Sequence, residues 1–178
     1  MSSASLYLVQ MHGEPGSGKS TLARAIGRDL PAVVLDKDVI SSAIIRSGQT
    51  LGSTGPAAYE CLWALAGSLI EQGHSVVIDS PCYWSLIEER GKGLARRLGV
   101  RYAMVETVCT DRLEIDRRLA TRRALESNPT ARRDWLATPG TREPVTRRLT
   151  LDGTRPVDQL AAEAVAYVRE AAALAVAG

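Results

Sequence analysis

A short segment near the start of the chain has the residue types and the spacing of a phosphate-binding loop. Residues 13–20, with the sequence GEPGSGKS, satisfy the pattern G-x-x-x-x-G-K-[ST] at every fixed position. Glycines let the backbone curl so that successive N–H groups point at one anion. The pattern predicts that Lys19 reaches the β- and γ-phosphates of a nucleotide and that the Ser20 hydroxyl binds Mg²⁺. The residues expected to contact the nucleotide here are Gly13, Glu14, Pro15, Gly16, Ser17, Gly18, Lys19, Ser20 and Thr21.

Carboxylates follow two apolar runs that read as buried strands. Asp36 and Asp38 come after the run 32–35, and Asp79 ends the run 75–79. Ligands of a parallel sheet bind beyond the carboxyl ends of its strands, so we expect these carboxylates at the edge where the loop lies. There, Asp36 or Asp38 could orient an acceptor hydroxyl, and Asp79 could hold a Mg²⁺-bound water. The alternatives are that the first two cap a helix and that Asp79 is a turn residue.

The segment 116–148 contains nine arginines, four acidic residues and no lysine. Arginine without lysine favours forked contacts to phosphate oxygens. Arg118 and Arg122 are four residues apart and therefore share a helical face. We expect them to close over the nucleotide as part of a lid at approximately residues 117–148 and to neutralise charge during phosphoryl transfer. The alternative is a surface helix whose arginines pair with neighbouring carboxylates.

Apolar strands alternate with amphipathic helices along the whole chain. This alternation predicts an α/β fold, a three-layer P-loop sandwich with roughly five parallel strands and helices on both faces. The stretch 47–55 is rich in glycine, serine and threonine and is predicted to be a loop, with Pro56 in the first turn of the next helix. Strands are predicted at 6–11, 32–35, 75–78, 101–107 and 149–151, and helices at 20–30, 38–46, 56–72, 84–98, 111–125 and 157–176.

The bulk composition is that of an ordinary globular domain, and residues 1–178 are expected to form a single one. The chain is 45% hydrophobic and 24% charged, and its net charge of only +2 does not indicate wholesale nucleic-acid binding. Its three cysteines are widely spaced, which argues against a disulfide framework and a structural zinc site. No basic segment precedes an apolar one and no apolar run is long enough for a bilayer, so we expect a cytoplasmic location and no membrane partner.

The order of these motifs resembles the P-loop small-molecule kinases related to polynucleotide kinase, chloramphenicol phosphotransferase, gluconate kinase and shikimate kinase. Within that set the chain is most similar to bacterial proteins known as predicted kinases or AAA-family ATPases. The resemblance implies ATP and Mg²⁺ as cofactors. Its carriers are GEPGSGKST at 13–21, VVLDKD at 33–38, VVIDSP at 76–81, DRRLATRR at 116–123 and LDGTRP at 151–156.

Individual roles follow from this resemblance. The acid that serves as acceptor base in the polynucleotide kinase pattern falls on Asp38, but the arginine three residues later is replaced here by Ser41. The lid arginines of the pattern fall on Arg118 and Arg122, and the first of them stacks on adenine in similar kinases. The loop that lines the base pocket in those kinases corresponds to Thr154, Arg155 and Pro156.

These observations favour an ATP- and Mg²⁺-dependent kinase that phosphorylates a hydroxyl of a small molecule. One alternative is a 5′-hydroxyl polynucleotide kinase whose arginine-rich segment tracks the nucleic-acid backbone. Another is a nucleotide-gated regulator, in which residues 48–55 would be ordered by the γ-phosphate. Tyr83 and Trp84 follow the third strand at the active edge, where they either line the acceptor pocket or pack in the core.

Overall fold

The computed structural model describes residues 5–81, 85–121, 125, 127 and 147–171. Within these ranges strands and helices alternate as the sequence predicts. The strands are β1 (Tyr7–His12), β2 (Ala32–Asp36), β3 (Ser75–Asp79), β4 (Arg101–Val108) and β5 (Arg148–Asp152). The helices are α1 (Lys19–Asp29), α2 (Lys37–Arg46), α3 (Leu51–Glu71), α4 (Ser85–Leu98), α5 (Arg112–Thr121) and α6 (Val157–Glu170).

The five strands of the described chain form one parallel sheet in the order β2-β3-β1-β4-β5. All strands therefore end at the same edge. Asp36 at the end of β2 pairs in register with Asp79 at the end of β3. This arrangement confirms the predicted α/β fold with a five-stranded parallel sheet.

Each face of the sheet is covered by its own apolar cluster, because successive strand residues point to opposite sides. On one face, Met11 and Val105 pack with residues of α1 and α6. On the other face, Leu8 and Met104 pack with residues of α3 and α4. The result is the expected three-layer sandwich with helices on both sides. No helix among the described residues is long and apolar enough to cross a membrane.

Helix α3 departs from the sequence prediction, because it begins at Leu51 and carries Pro56 inside it. The predicted loop 47–55 is therefore wrong from residue 51 onward. The backbone at Thr50 is extended, and the buried Thr54 hydroxyl donates to the Thr50 carbonyl oxygen over 2.6 Å, so its polar group is satisfied within the helix. Packing of α3 against α2 outweighs the weak intrinsic helix preference of this segment.

Helix α1 approaches β2 so closely that one helical position accepts only glycine. A Cβ atom on Gly27 would overlap the Cγ2 atom of Val34 and lie 3.1 Å from the carbonyl oxygen of Ala32. Valine has little freedom to rotate away. This close contact fixes the distance between α1, whose N-terminus forms part of the loop 13–20, and the sheet beneath it.

We expect the substitution Gly27→Ala to lower the free energy of unfolding by about 1–2 kcal/mol, because overpacking outweighs the roughly 1 kcal/mol of improved helix propensity. Gly93→Ala in α4 is the matched control. No atom lies within 4 Å of a Cβ built at Gly93, so this variant should be more stable by about 0.5–1 kcal/mol. Chemical denaturation measures both. Stabilisation by both substitutions would contradict the close α1–β2 contact.

Candidate active site

The segment 13–20 forms a tight curl between β1 and α1. Gly13, Gly16 and Gly18 all have positive φ angles, of 136°, 84° and 99°. L-residues with side chains rarely adopt these conformations, which explains the glycines of the pattern. Gly18 is the N-cap of α1, and Ser17 N–H donates to the Glu14 carbonyl oxygen at 3.2 Å. A curled backbone that opens into a helix N-terminus is an anion site.

The end of β4 supports this curl from below. The fully buried Thr107 shares a hydroxyl–hydroxyl hydrogen bond of 2.7 Å with Ser17. A Cβ atom on Gly13 would overlap the Thr107 carbonyl oxygen, so the loop rests directly on this residue. Sequence reasoning missed Thr107. Its signal was a polar residue at the end of an apolar strand, the same signal that singled out Asp36 and Asp79.

The turn after β5 supports the curl from the side. A Cβ atom on Gly153 would overlap the Ser17 carbonyl oxygen, and Gly153 N–H donates to the Val108 carbonyl oxygen at 2.7 Å. Only glycine allows this approach of the two backbones. The family resemblance implied that Thr154, Arg155 and Pro156 line the base pocket, but it gave Gly153 no role.

Lys19 and Asp79 form an ion pair at the carboxyl edge of the sheet. The Lys19 Nζ atom lies 2.8 Å from Asp79 Oδ1, and both side chains are largely buried. The structure thus brings the predicted phosphate-binding lysine to the predicted metal-binding carboxylate. A nucleotide phosphate that recruits Lys19 would compete with Asp79 for the ammonium group.

Asp36 and Asp38 have different environments, although they are only two residues apart. Asp36 caps α2, since its Oδ1 atom accepts from the N–H groups of Asp38 at 2.8 Å and Val39 at 3.4 Å. Burial, reinforced by the charges of Asp79 and Asp38, raises the pKa of the Asp36 carboxyl above its ordinary value. The capping alternative therefore holds for Asp36. Asp38 lies in the first turn of α2, and its Oδ1 atom lies 2.8 Å from Lys37 Nζ.

Arg118 bridges the loop 13–20 and the turn after β5. Its guanidinium donates to the carbonyl oxygens of Gly16 at 3.3 Å and Gly153 at 2.8 Å. Its Nε–H donates to Glu114 Oε1 at 2.6 Å. Arg118 is thus anchored at the phosphate loop. This position is compatible with the predicted contact to the base, but it differs from that of a side chain that reaches the site from a distant lid.

Thr154, Arg155 and Pro156, predicted to line the base pocket, lie in the turn after β5 and at the start of α6. Arg155 pairs with Glu163 of α6, and the Thr154 hydroxyl donates to Asp152 Oδ1 at 2.8 Å. Pro156 is the N-cap residue of α6. Of these, Arg155 faces the same cavity as Arg118.

A cavity of about 670 Å³ is lined by Lys19, Asp36, Arg118 and Arg155, whereas Asp38 and Asp79 are not among its described lining residues. It has the size of a small-molecule site. Its walls come from the loop 13–20, from α1, from α5 and from the turn between β5 and α6. The described residues that line it are Glu14, Pro15, Gly16, Gly18, Lys19, Ser20, Thr21, Leu22, Arg24, Asp36, Val39, Thr107, Glu114, Arg117, Arg118, Leu119, Thr121, Leu125, Gly153, Arg155, Val157 and Leu160.

Three residues of the sequence-based site lie outside the described residues, namely Arg122, Tyr83 and Trp84. The same holds for most of the predicted lid at approximately 117–148, of which residues 117–121, 125, 127, 147 and 148 are described. The predictions for these residues remain predictions.

The donor set at the loop fits Mg²⁺ carried by a nucleotide. The Ser20 hydroxyl and the Asp79 carboxylate are hard oxygen donors, as Mg²⁺ prefers. The described part of the chain contains no cluster of three or more His, Cys, Asp or Glu that could hold a metal.

We expect Asp79→Asn to strengthen the binding of metal-free ATP several-fold, because a neutral amide holds Lys19 less firmly than a carboxylate does. The same change should reduce the gain in affinity that Mg²⁺ gives. Titration of ATP in EDTA and in Mg²⁺ measures both effects, with Asp158→Asn at the exposed start of α6 as control. Unchanged or weaker metal-free binding would show that the Lys19–Asp79 pair does not compete with the nucleotide.

We expect Thr107→Val to weaken nucleotide binding about fivefold to tenfold, because Ser17 then loses its buried partner beneath the phosphate loop. Thr107→Ser keeps the hydroxyl and should bind nearly as tightly as the unsubstituted chain. Equilibrium binding and thermal unfolding on the three proteins separate a local effect from a global one. A loss in the Ser variant with none in the Val variant would mean that the methyl group and not the hydroxyl matters.

The fold is shared with solved structures of kinases. A candidate kinase from Chloroflexus aurantiacus matches with a TM-score of 0.73 at 21% identity over 94% of this chain and 99% of its own. The APS kinase of Mycobacterium tuberculosis, in complex with AMPPNP and APS, matches with a TM-score of 0.68 and 18% sequence identity. This match covers 93% of this chain and 99% of the APS kinase. A sugar kinase from Janibacter sp. HTCC2649 matches with a TM-score of 0.66 and 19% sequence identity, over 93% of this chain and 95% of the sugar kinase.

Sequence comparison gives the family. An uncharacterized protein of Mycobacterium tuberculosis is 29% identical over 126 residues, which is 63% of this chain and 24% of that protein. The matched region thus spans about a quarter of the length of this curated relative. The model of the family described as AAA domain matches residues 8–138, which include the phosphate loop and all three carboxylates of the site. The chain therefore belongs to this AAA domain family and has the fold of the P-loop kinases.

Proposed function

We propose that the chain is an ATP- and Mg²⁺-dependent phosphotransferase that moves the γ-phosphate of ATP to a hydroxyl group of a small molecule. The observation that carries this proposal is the curled loop with Lys19 beside the carboxylates of Asp36 and Asp79 at one sheet edge. Phosphoryl transfer depends mainly on positioning and charge neutralisation, and this edge offers groups for both.

Each residue has a defined part in the proposed reaction. The loop N–H groups and Lys19 hold the phosphates, and Ser20 and Asp79 hold the Mg²⁺ that neutralises their charge. The acceptor oxygen forms a bond to the γ-phosphorus while the bond to the β–γ bridging oxygen breaks, and ADP leaves with that electron pair. Asp38 orients the acceptor hydroxyl and accepts its proton. Arg118 and the predicted Arg122 neutralise the developing charge.

A small hydroxylated acceptor is supported by two of the similar structures, which are an APS kinase bound to AMPPNP and APS and a sugar kinase. Two features weigh against the alternatives. Ser41 is buried in α2 at the position where the polynucleotide pattern has its arginine, so that contact to the phosphate is missing. The nucleotide-gated regulator would need the segment 48–55 as a loop that the γ-phosphate orders, but most of this segment belongs to α3.

The proposal is tested by transfer from γ-labelled ATP with Mg²⁺ to a panel of sugars, nucleosides, hydroxylated antibiotics and a 5′-hydroxyl oligonucleotide. We expect the chain to transfer label to a small molecule, and we expect the Lys19→Ala variant to form no such product. Labelled oligonucleotide alone would replace the proposed acceptor class by the polynucleotide alternative. Stoichiometric ATP binding without product from any acceptor would favour the nucleotide-gated regulator.

We expect Asp38→Asn to lower kcat by about 10²- to 10⁴-fold, the contribution of a positioned base, with ATP affinity nearly unchanged. Asp36→Asn is the matched comparison, since asparagine caps a helix as well as aspartate and only the charge is lost. Steady-state kinetics and equilibrium binding measure both variants. A larger loss of kcat in Asp36→Asn than in Asp38→Asn would assign the role of base to Asp36.

A further inference from the structure

The Arg118 side chain is held at three points on three different segments. Its partners are Glu114 on its own helix, the carbonyl oxygen of Gly16 in the phosphate loop and the carbonyl oxygen of Gly153 after β5. A quarter of the side chain is exposed. A planar guanidinium with a fixed fork of donors defines the relative position of its acceptors. Arg118 therefore links α5 to the phosphate loop and to the turn after β5, both of which line the cavity.

Glu114 is the charged member of this set of contacts. It lies in the first turn of α5, four residues before Arg118, and its N–H is capped by Asp111 Oδ1 at 3.2 Å. Its Oε1 atom accepts from Arg118 Nε at 2.6 Å, and both its oxygens accept from Arg117 at 2.7 Å. Hydrogen bonds from Arg117 and Arg118 lower the pKa of the Glu114 carboxyl to about 2. The carboxylate is thus charged throughout the neutral range.

Exposed ion pairs four residues apart on a helix usually contribute little. The pair Glu114–Arg118 differs because the arginine is mostly buried and continues into two other segments of the site. Glu114 fixes the Nε end of the guanidinium, so that the two remaining nitrogens point at Gly16 and Gly153. Without this anchor the fork can rotate about its side-chain torsions and lose one or both carbonyl contacts.

We infer that Glu114 is a positioning residue that holds Arg118 against Gly16 and Gly153 and so keeps the nucleotide site assembled before the nucleotide binds. This inference rests on the proposed function, because it assumes that the cavity takes a nucleotide. Glu114 acts through Arg118 and touches neither the substrate nor the reacting atoms in this scheme. Arg117, which is two-thirds exposed, is a secondary partner of the same carboxylate.

The test is equilibrium binding of the Mg²⁺ complex of a fluorescent ATP analogue to Glu114→Gln, Arg118→Met and the double variant. Glu114→Gln should bind roughly fivefold to tenfold more weakly, within the effect of one charge-assisted hydrogen bond. In the Arg118→Met background the same substitution should have no further effect. KM for ATP should rise by a similar factor in Glu114→Gln, and kcat should fall no further than it does in Arg118→Met.

Two controls make the result specific. Glu60→Gln removes the carboxylate of another surface ion pair, with Arg90, and should leave binding unchanged. Arg117→Met should weaken binding less than Glu114→Gln does. Unaltered affinity in Glu114→Gln, or the same additional loss in the Arg118→Met background, would overturn the inference. Absence of binding by the unsubstituted chain would instead refute the proposed function, so the two failures are distinguishable.

Discussion

The curl of the segment 13–20 depends on close packing against two neighbouring backbones, which glycine alone permits. The carbonyl oxygen of Thr107 lies against Gly13, and Gly153 lies against the carbonyl oxygen of Ser17. Both contacts depend on parallel strands that end at one edge, because only then do the turns after β4 and β5 meet the loop after β1. The close packing of α1 against β2 at Gly27 sets the distance between the sheet and the helix that follows the loop.

Charge at this edge is balanced by pairing among the described residues. Lys19 is paired with Asp79, Lys37 with Asp38 and Arg118 with Glu114. Lys19 and Arg118 line the cavity, so each would gain a competing partner if an anionic phosphate entered it. Pre-organisation of this kind reduces the loss of conformational entropy that accompanies binding and reaction.

The sequence predicted the sheet, the loop and the carboxylates because each depends on local pattern: period-two apolar runs, fixed glycines and polar residues after strands. It did not reveal that α3 starts at Leu51, because tertiary packing there outweighs local propensity. It also missed Thr107 and Gly153, whose roles depend on contacts across 90 and more residues of sequence. Asp36 and Asp38 could be distinguished only by the capping hydrogen bonds.

The central claim is that the loop 13–20 and Lys19 hold the phosphates of a nucleotide. Calorimetric titration with the Mg²⁺ complex of a non-hydrolysable ATP analogue tests it most directly, on the unsubstituted chain and on Lys19→Ala. The account predicts one-to-one binding that is reduced at least tenfold in the variant, as expected for the loss of a charge-assisted contact to phosphate. No binding by the unsubstituted chain, or equal affinity in both proteins, would contradict it.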